Sequence, residues 1–475
     1  MKRRKFVHGA LCTALTSFRA EAIESVIPVQ LAHVSEEWPV MPIDFIGLSY
    51  ETGQLYNPDF FSPRNTPLIK AFVGVNPRGV LRLGGHLSNI TPWEGVGQSE
   101  PKQMRGVRHG IEDYWEWPLV DPVVQQNKRG IISRRALRNL RGFLDAVNWR
   151  LIYGLNFACG SAARAADEAE AVSTLLGDRL YAFVVGNEVD GFGEDQYFRA
   201  KGYDFKQFFA EYEVWVKAIR HRVPHAQFAG PDTEGKVDTW VREYALRTRG
   251  DAVLLTSHFY GMGPASDPGM TAERLLRRTN KELDAQIAGV QLASKEAGGT
   301  PYRMDEGNSC FGGGRKNVSD AYASALWAAD YILRMACAGF AGVNLHGGGT
   351  GIYTPIESSA AGPAIPRPLY YGMQFAQQFV DRQMTQCPLN TNLNITAYQG
   401  IRSGKIMLAL INKDNKQARL ELPVEFKSAK NIRRWELRGP ALDAKSGVQF
   451  ARAPISVGRS LIEVAAYSAT ILQTD

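Results

Sequence analysis

Nowhere in this chain do about 18 apolar residues run together, so no stretch reads as a membrane-crossing helix. Cysteine is scarce: Cys12, Cys159, Cys310, Cys337 and Cys387 are the only five in 475 residues, and none stands in CxxC spacing. That pattern excludes a thiolate zinc site and suggests buried free thiols; a chain this long does not need disulfides to hold a core. Basic residues do not cluster among aromatics, which argues against a nucleic-acid partner. The segment 47–53 carries no glycine-rich phosphate turn, so a doubly wound dinucleotide-binding sheet is disfavoured. There is no internal repeat and no low-complexity segment.

What is present is ordinary in bulk and specific in order. Apolar residues make up 44% and charged residues 22%, a soluble globular composition. The length suits one large barrel plus a smaller domain. Of the net charge of +7, Lys2, Arg3, Arg4, Lys5 and Arg19 against Glu21 and Glu24 contribute +3, leaving a weak excess of +4. That excess suits an anionic substrate without demanding one. The basic start, with a twin-arginine look, precedes a short apolar run, 9–18, and small residues at Ala20 and Ala22. Residues 1–25 therefore read as an export leader, with a secreted or periplasmic destination; a basic tail is the alternative.

Strand and helix signals then alternate. Strand-like runs are expected at 45–51, 80–85, 151–156, 181–185, 227–232, 253–260, 301–306 and 342–346, the sixth with a short buried helix as its alternative. Between them, 134–147, 167–176, 205–220, 272–296 and 320–338 have helical spacing, the last with Ser319 available as N-cap and Gly339 as terminator. Eight strands alternating with helices over 41–380 is the count for a (β/α)8 TIM barrel. The segment 91–130 is long and polar and carries Trp93, Trp115 and Trp117. Loops of that length are commonly functional walls, and these tryptophans fit sugar stacking or packing.

From about residue 381 the texture changes to short strand-like runs: 395–398, 405–412, 418–424, 432–437 and 460–472. This reads as a C-terminal antiparallel β-sandwich over 381–475. The extended segment 26–40 has no place in the barrel and is expected to join that sandwich.

The chemistry centres on Phe183-Val184-Val185-Gly186-Asn187-Glu188, an apolar run ending in a polar pair. In a barrel, strand ends at the C-terminal face carry the reacting groups. Glu188 ends the fourth strand and Glu306, 118 residues later, the seventh, so their carboxyls face each other across the mouth. Retaining glycosidases need such a pair, one as nucleophile and one as acid and then base. Asn187 is placed to hold a sugar 2-hydroxyl. Each signal alone also fits a turn or a solvated loop; their co-location in a barrel is what points to catalysis.

The ordered set Gly47-Leu48-Ser49-Tyr50-Glu51, Leu81-Arg82-Leu83-Gly84-Gly85, Val185-Gly186-Asn187-Glu188, Gly230-Pro231-Asp232, Ser257-His258-Phe259-Tyr260, Glu306 through Gly314, and Ser319-Asp320 resembles glycoside hydrolase family 79, the heparanase and β-glucuronidase family. The tail 467–472 resembles that family's last β-domain strand. The resemblance implies Glu188 as acid/base, Glu306 as nucleophile and Tyr260 as the phenol that hydrogen-bonds it. It implies that Gly312 and Gly313 backbone N–H groups, with Tyr353, receive a uronic acid carboxylate, and that Glu51 and His86 line the sugar subsite. Heparanase itself has other residue types at those last two positions. Neither a metal nor a cofactor is needed for this reaction, and His346-Gly347-Gly348-Gly349 lacks a second ligand with sensible spacing.

The expected activity is retaining hydrolysis of β-linked glucuronic acid from a glycoside or polysaccharide. An exo-acting β-glucuronidase is preferred because 91–130 can wall off one end of the cleft. An endo-acting, heparanase-like enzyme is the alternative. A non-catalytic carbohydrate-binding barrel and a retaining glycosidase for neutral sugars are further alternatives. The two-carboxylate mechanism leads to the expectation that Glu188 titrates above the usual carboxylate range while Tyr260 keeps Glu306 charged.

Overall fold

A computed structural model describes residues 26–33, 35–95, 116–194, 198–454 and 460–475. The leader, Cys12, Trp115 and half of the wall segment lie outside the described residues. Among the described residues no helix is long and apolar enough to cross a membrane.

A short strand, β1 (Ile27–Pro28), precedes eight parallel strands that close into a barrel: β2 (Ile46–Glu51), β3 (Val80–Gly84), β4 (Arg150–Leu155), β5 (Leu180–Val185), β6 (Phe228–Thr233), β7 (Ala252–Tyr260), β8 (Tyr302–Asn308) and β9 (Gly342–Gly347). The expected barrel is therefore present, strand for strand. Its strands read as unbroken apolar runs because both faces are buried. On β5, Ala182 and Val184 join a small cluster with Val80, Ile152, Ala229 and Leu254. Phe183 and Val185 belong to the large core shared with the surrounding helices.

Most expected helices appear, with local corrections. Arg134–Val147 is capped by the Ser133 hydroxyl, and Phe205–Arg222 opens with an Asp204/Gln207 capping box. The expected helix 272–296 is two helices, Ala272–Leu275 and Lys281–Glu296, the second restarted by the Asn280 side chain accepting from Leu283 N–H. Tyr322–Cys337 begins later than expected, and Ser319 is not its cap: the Ser319 hydroxyl accepts instead from Arg315 N–H.

After the barrel, β10 (Ile356–Glu357) and β11 (Ile365–Pro366) form a small ribbon. Then come β12 (Gln383–Cys387), β13 (Ile395–Arg402), β14 (Lys405–Asn412), β15 (Ala418–Glu421), β16 (Ile432–Arg438), β17 (Gln449–Ala453), β18 (Leu461–Val464) and β19 (Ser468–Thr474). A six-stranded sheet runs in the order β12-β13-β14-β19-β16-β17. A three-stranded sheet, β1-β15-β18, covers one of its faces through a shared core that includes Ile27, Leu408, Leu420 and Val464. The early segment joins this sandwich: Ile27 and Pro28 pair parallel to Leu420 and Glu421, Ala32 N–H donates to Gln399 Oε1 at 3.0 Å, and Val40 bridges Gln383. The other face of the larger sheet packs on the barrel, where Lys413 Nζ lies 2.5 Å from Asp330 and Tyr398 donates to the same carboxylate at 2.7 Å.

Candidate active site

The inward positions near the C-terminal ends of the barrel strands are polar. On β3 the inward residue above Val80 is Arg82, a cation 1% exposed in an otherwise apolar strand. A buried guanidinium is tolerable only when its donors are matched. Arg82 donates to Glu306 Oε2 at 2.6 Å, Asp232 Oδ2 at 2.6 Å, Asn187 Oδ1 at 2.7 Å and Ser49 Oγ at 3.0 Å, with Asp305 at 3.3 Å from Nε. Burial would weaken its hold on the proton. Asp232, Glu306 and Asp305 more than reverse that and raise it well above the ordinary arginine range.

Glu306 lies within β8, which runs on to Asn308. Strict alternation would send adjacent Asp305 and Glu306 to opposite faces. The pairing register slips at this point: Ser257 is opposite Met304, and His258 is opposite Glu306. Asp305 is the extra residue, and such a bulge re-aims side chains. Both carboxyls therefore reach Arg82 and are 0% and 5% exposed by residue.

Tyr260, at the end of β7, donates to Glu306 Oε1 at 2.8 Å. Burial pushes Glu306 up, but the His346 and His258 rings and Arg82 outweigh it and bring its pKa down to about 2. Asp305 goes the other way, well above the usual range, through burial and the neighbouring Asp232 carboxylate. Asp232 is itself depressed by Arg82 and His258 against its burial. Two adjacent carboxyls thus divide into one charged and one neutral, as like charges at close range require.

Glu188 sits just past β5 with φ 51°, a left-handed conformation uncommon outside glycine. Its N–H donates to the Asp232 carbonyl at 2.7 Å, which supports that backbone. His86 Nε2 lies 2.5 Å from Glu188 Oε2, and His258 Nδ1 lies 2.9 Å from Glu188 Oε1. The expectation that Glu188 titrates high is corrected here. Burial does push it up, but the two imidazoles hold it well below the ordinary range. His258 is in turn held protonated, against its burial, by Glu306 and Asp232. One carboxylate oxygen each from Glu188 and Glu306, with a ring nitrogen of His258, lie within 4.8 Å of one another.

Asn187 is 1% exposed, and its backbone is tied to Asn89 by bonds of 3.2 and 3.0 Å. Its Oδ1 takes the Arg82 bond, while its buried Nδ2 has no partner among the described residues. Tyr353 is fully buried beside Tyr260, ring centroids 6.1 Å apart, and its hydroxyl also lacks a partner among the described residues. Gly312, Gly313 and Gly314 all have positive φ, 77°, 86° and 92°, and a Cβ on Gly314 would lie 3.0 Å from Tyr353 N. The glycine turn and Tyr353 are thus neighbours.

Glu51 stands elsewhere than on the open wall. It is 1% exposed, its Oε2 accepts from Leu87 N–H at 2.9 Å, and its Oε1 lies 3.2 Å from His346 Nε2. It supports the turn carrying His86, where a Cβ on Gly85 would collide with its carboxylate. Trp93 and Trp117 are each 2% exposed; Trp93 donates to Asp167 at 2.8 Å, and Trp117 packs with Leu87 and Val120. They are packing anchors.

Among the described residues, two groups offer ligand atoms at metal-like spacing, Glu188/His258/Glu306 and Asp232/His258/Asp305. Arg82 contacts members of both, so the chain itself supplies the counter-charge a metal would bring. Arg82, Asp232, His258, Asp305 and Glu116 carry this site although the sequence assigned them no role, and His346 was weighed only as a metal ligand. The signal was available: polar residues at alternate positions inside apolar strands, above all an arginine between Leu81 and Leu83.

No family model matches the chain. A β-glucuronidase of Neurospora crassa is 27% identical over 257 residues, covering 47% of this chain and 45% of that protein. A β-glucuronidase of Aspergillus niger is 25% identical over 198 residues, covering 39% and 36%. The matches thus span less than half the length of either relative. Among solved structures, a 4-O-α-L-rhamnosyl-β-D-glucuronidase from Fusarium oxysporum superposes with a TM-score of 0.68 at 14% identity, covering 94% of this chain and 100% of that one. A family 51 α-L-arabinofuranosidase from Bifidobacterium longum gives 0.70 at 14% identity, covering 95% and 99%. At such identity these neighbours share the fold.

Proposed function

We propose that this chain is a retaining glycoside hydrolase that removes β-linked glucuronic acid from the end of a glycoside. The names of the curated relatives support a glycosidase with a glucuronide substrate. The observation that carries the reading is the facing of Glu188 and Glu306, with carboxylate oxygens within 4.8 Å. Retaining enzymes hold their two carboxyls about 5–5.5 Å apart, leaving no room for a water on the far side of the sugar.

Glu306 is the nucleophile. It is kept ionised by Arg82 and the two imidazoles, and Tyr260 fixes one of its oxygens toward the reacting carbon. Attack on the anomeric carbon forms the glycosyl ester while Glu188 passes a proton to the leaving oxygen. Glu188 then takes a proton from water, which opens the ester with net retention. The unpartnered Nδ2 of Asn187 is the donor for the 2-hydroxyl. The uronate carboxylate is assigned to the N–H groups at Gly312 and Gly313 and to the Tyr353 hydroxyl, since convergent N–H groups and a phenol suit an anion.

Exo action is supported by the way the wall segment is tied down. Thr350 N–H donates to the Pro118 carbonyl at 2.9 Å, and Ala360 N–H to Asp121 Oδ2 at 2.6 Å. These bonds join the loop after β3 to the loop after β9. The test is a comparison of p-nitrophenyl β-glucuronide with the matching β-glucoside and β-xyloside, followed by a short heparan oligosaccharide. Preference for the glucuronide and release of terminal uronic acid with its β configuration are expected. Internal cleavage would favour the endo reading, and equal rates on the neutral sugars would remove the uronate assignment.

A further inference from the structure

One imidazole at the barrel mouth stands between two carboxylates. His86 Nδ1 lies 2.5 Å from Glu116 Oε1, and its Nε2 lies 2.5 Å from Glu188 Oε2. The three side chains differ in depth: Glu116 is 1% exposed, Glu188 16% and His86 34%. The ring is held by backbone as well as by charge. Gly85 takes φ 73°, and Leu87 N–H is anchored on Glu51, so the residue between them has little freedom to swing. The opposite oxygen of Glu188 is fixed by His258. A buried carboxylate placed on the far nitrogen of a ring is the arrangement that holds an imidazole in one orientation and stabilises its protonated form.

On the reading of Glu188 as acid/base, we propose that His86, clamped by Glu116, is a positioning residue that stores the proton Glu188 delivers. Between turnovers the proton rests on His86 Nε2. When the leaving oxygen comes within reach, the Nε2–H bond breaks with its electron pair left on nitrogen, and the proton bonds to Glu188 Oε2. It passes on to the leaving oxygen as that oxygen takes the electron pair of its bond to the anomeric carbon. In the second step water adds to that carbon as the ester bond to Glu306 breaks, its electron pair returning to the Glu306 carboxylate, and the water's proton returns through Glu188 to Nε2. No proton is gained or lost over the cycle.

The charge distribution agrees with the geometry. Burial would favour a neutral ring, but Glu116 and Glu188 hold His86 protonated well above the ordinary histidine range. Glu234, on the loop after β6, also feels the His86 charge, and His258 faces Glu188 from β7. The pair His86–Glu188 therefore shares a single proton that leaves only when the ring titrates. The basic limb of the rate should follow His86 and not Glu188. A residue that only lines the sugar subsite would change the rate without moving that limb.

The test compares wild type, His86→Gln and Glu116→Gln. The first measurement is the pH profile of kcat/KM on an alkyl β-glucuronide, whose leaving group needs the acid, and on an activated aryl β-glucuronide, whose leaving group does not. The basic limb on the alkyl substrate should fall by one pH unit or more in His86→Gln and by less in Glu116→Gln, with a smaller shift on the aryl substrate. Rates that drop with the limb unmoved overturn the proposal. The second is 15N NMR of histidine-labelled protein, which has eight histidines. The resonance lost in His86→Gln should titrate above the ordinary range and fall in Glu116→Gln; titration near 6.5 in wild type overturns the proposal by itself. A wild-type chain that cleaves neither glucuronide removes the proposed function, and the NMR measurement still decides how His86 is held.

Discussion

Arg82 donates to Glu306 Oε2 at 2.6 Å from inside the barrel, and this bond connects the folding of the barrel to the charge of its proposed nucleophile. The same guanidinium holds Asp232 and Asn187, so one side chain fixes groups from β5, β6 and β8. Replacing Arg82 by Met leaves buried carboxylates without their cation. Losing one partner of a buried pair costs about 3–5 kcal/mol. A fall of that size in denaturant unfolding is expected, together with loss of turnover. Arg82→Lys should restore part of the stability but not the forked contacts.

Glu188→Gln should lower turnover of poor leaving groups by about 10²–10⁴, the ordinary worth of a positioned acid. An activated aryl glucuronide should still release its phenol in a burst, because that first step needs no proton. Pre-steady-state absorbance separates the two, and equal loss on both substrates would count against the acid role.

A Cβ on Gly312 would make only ordinary van der Waals contact, its nearest neighbour being Ala265 N at 3.6 Å. Gly312→Ala therefore carries backbone strain alone, about 1–2 kcal/mol for a left-handed residue. If the turn receives the uronate, KM for the glucuronide should rise by about tenfold or more, the worth of a hydrogen bond to a charged group. Residual activity on a β-glucoside should be unchanged. Parallel losses on both sugars would place the carboxylate elsewhere.

Away from the site, Tyr153 donates to Glu168 at 2.7 Å between β4 and the helix Ala162–Leu176. Burial raises the Glu168 carboxyl to about 7. A group whose folded pKa is raised stabilises the fold fully below its unfolded value, and that contribution is lost as pH rises through the folded value. Stability of wild type relative to Glu168→Gln should therefore decline between roughly pH 4.5 and 7, by on the order of 3 kcal/mol at 1.36 kcal/mol per unit. Urea unfolding of both chains across that range measures it, and a flat difference would refute it.

The barrel was legible because its strands are buried on both faces: Phe183-Val184-Val185 needs no tertiary information to read as a strand. Boundaries set by side-chain bonds were less so. Ser319 looked like a cap but accepts from Arg315, and the break before Lys281–Glu296 depends on Asn280. The sequence also put Glu188 and Glu306 on the fourth and seventh barrel strands, since strand order follows chain order in this architecture. It could not assign their charge states. Those depend on His86, His258 and Arg82 lying within hydrogen-bonding distance, and on a one-residue slip at Asp305 that turns two adjacent carboxyls inward. Position along the chain determined which residues reach the barrel mouth; only closure of the barrel decided which charges meet there, because electrostatic coupling depends on distance in space.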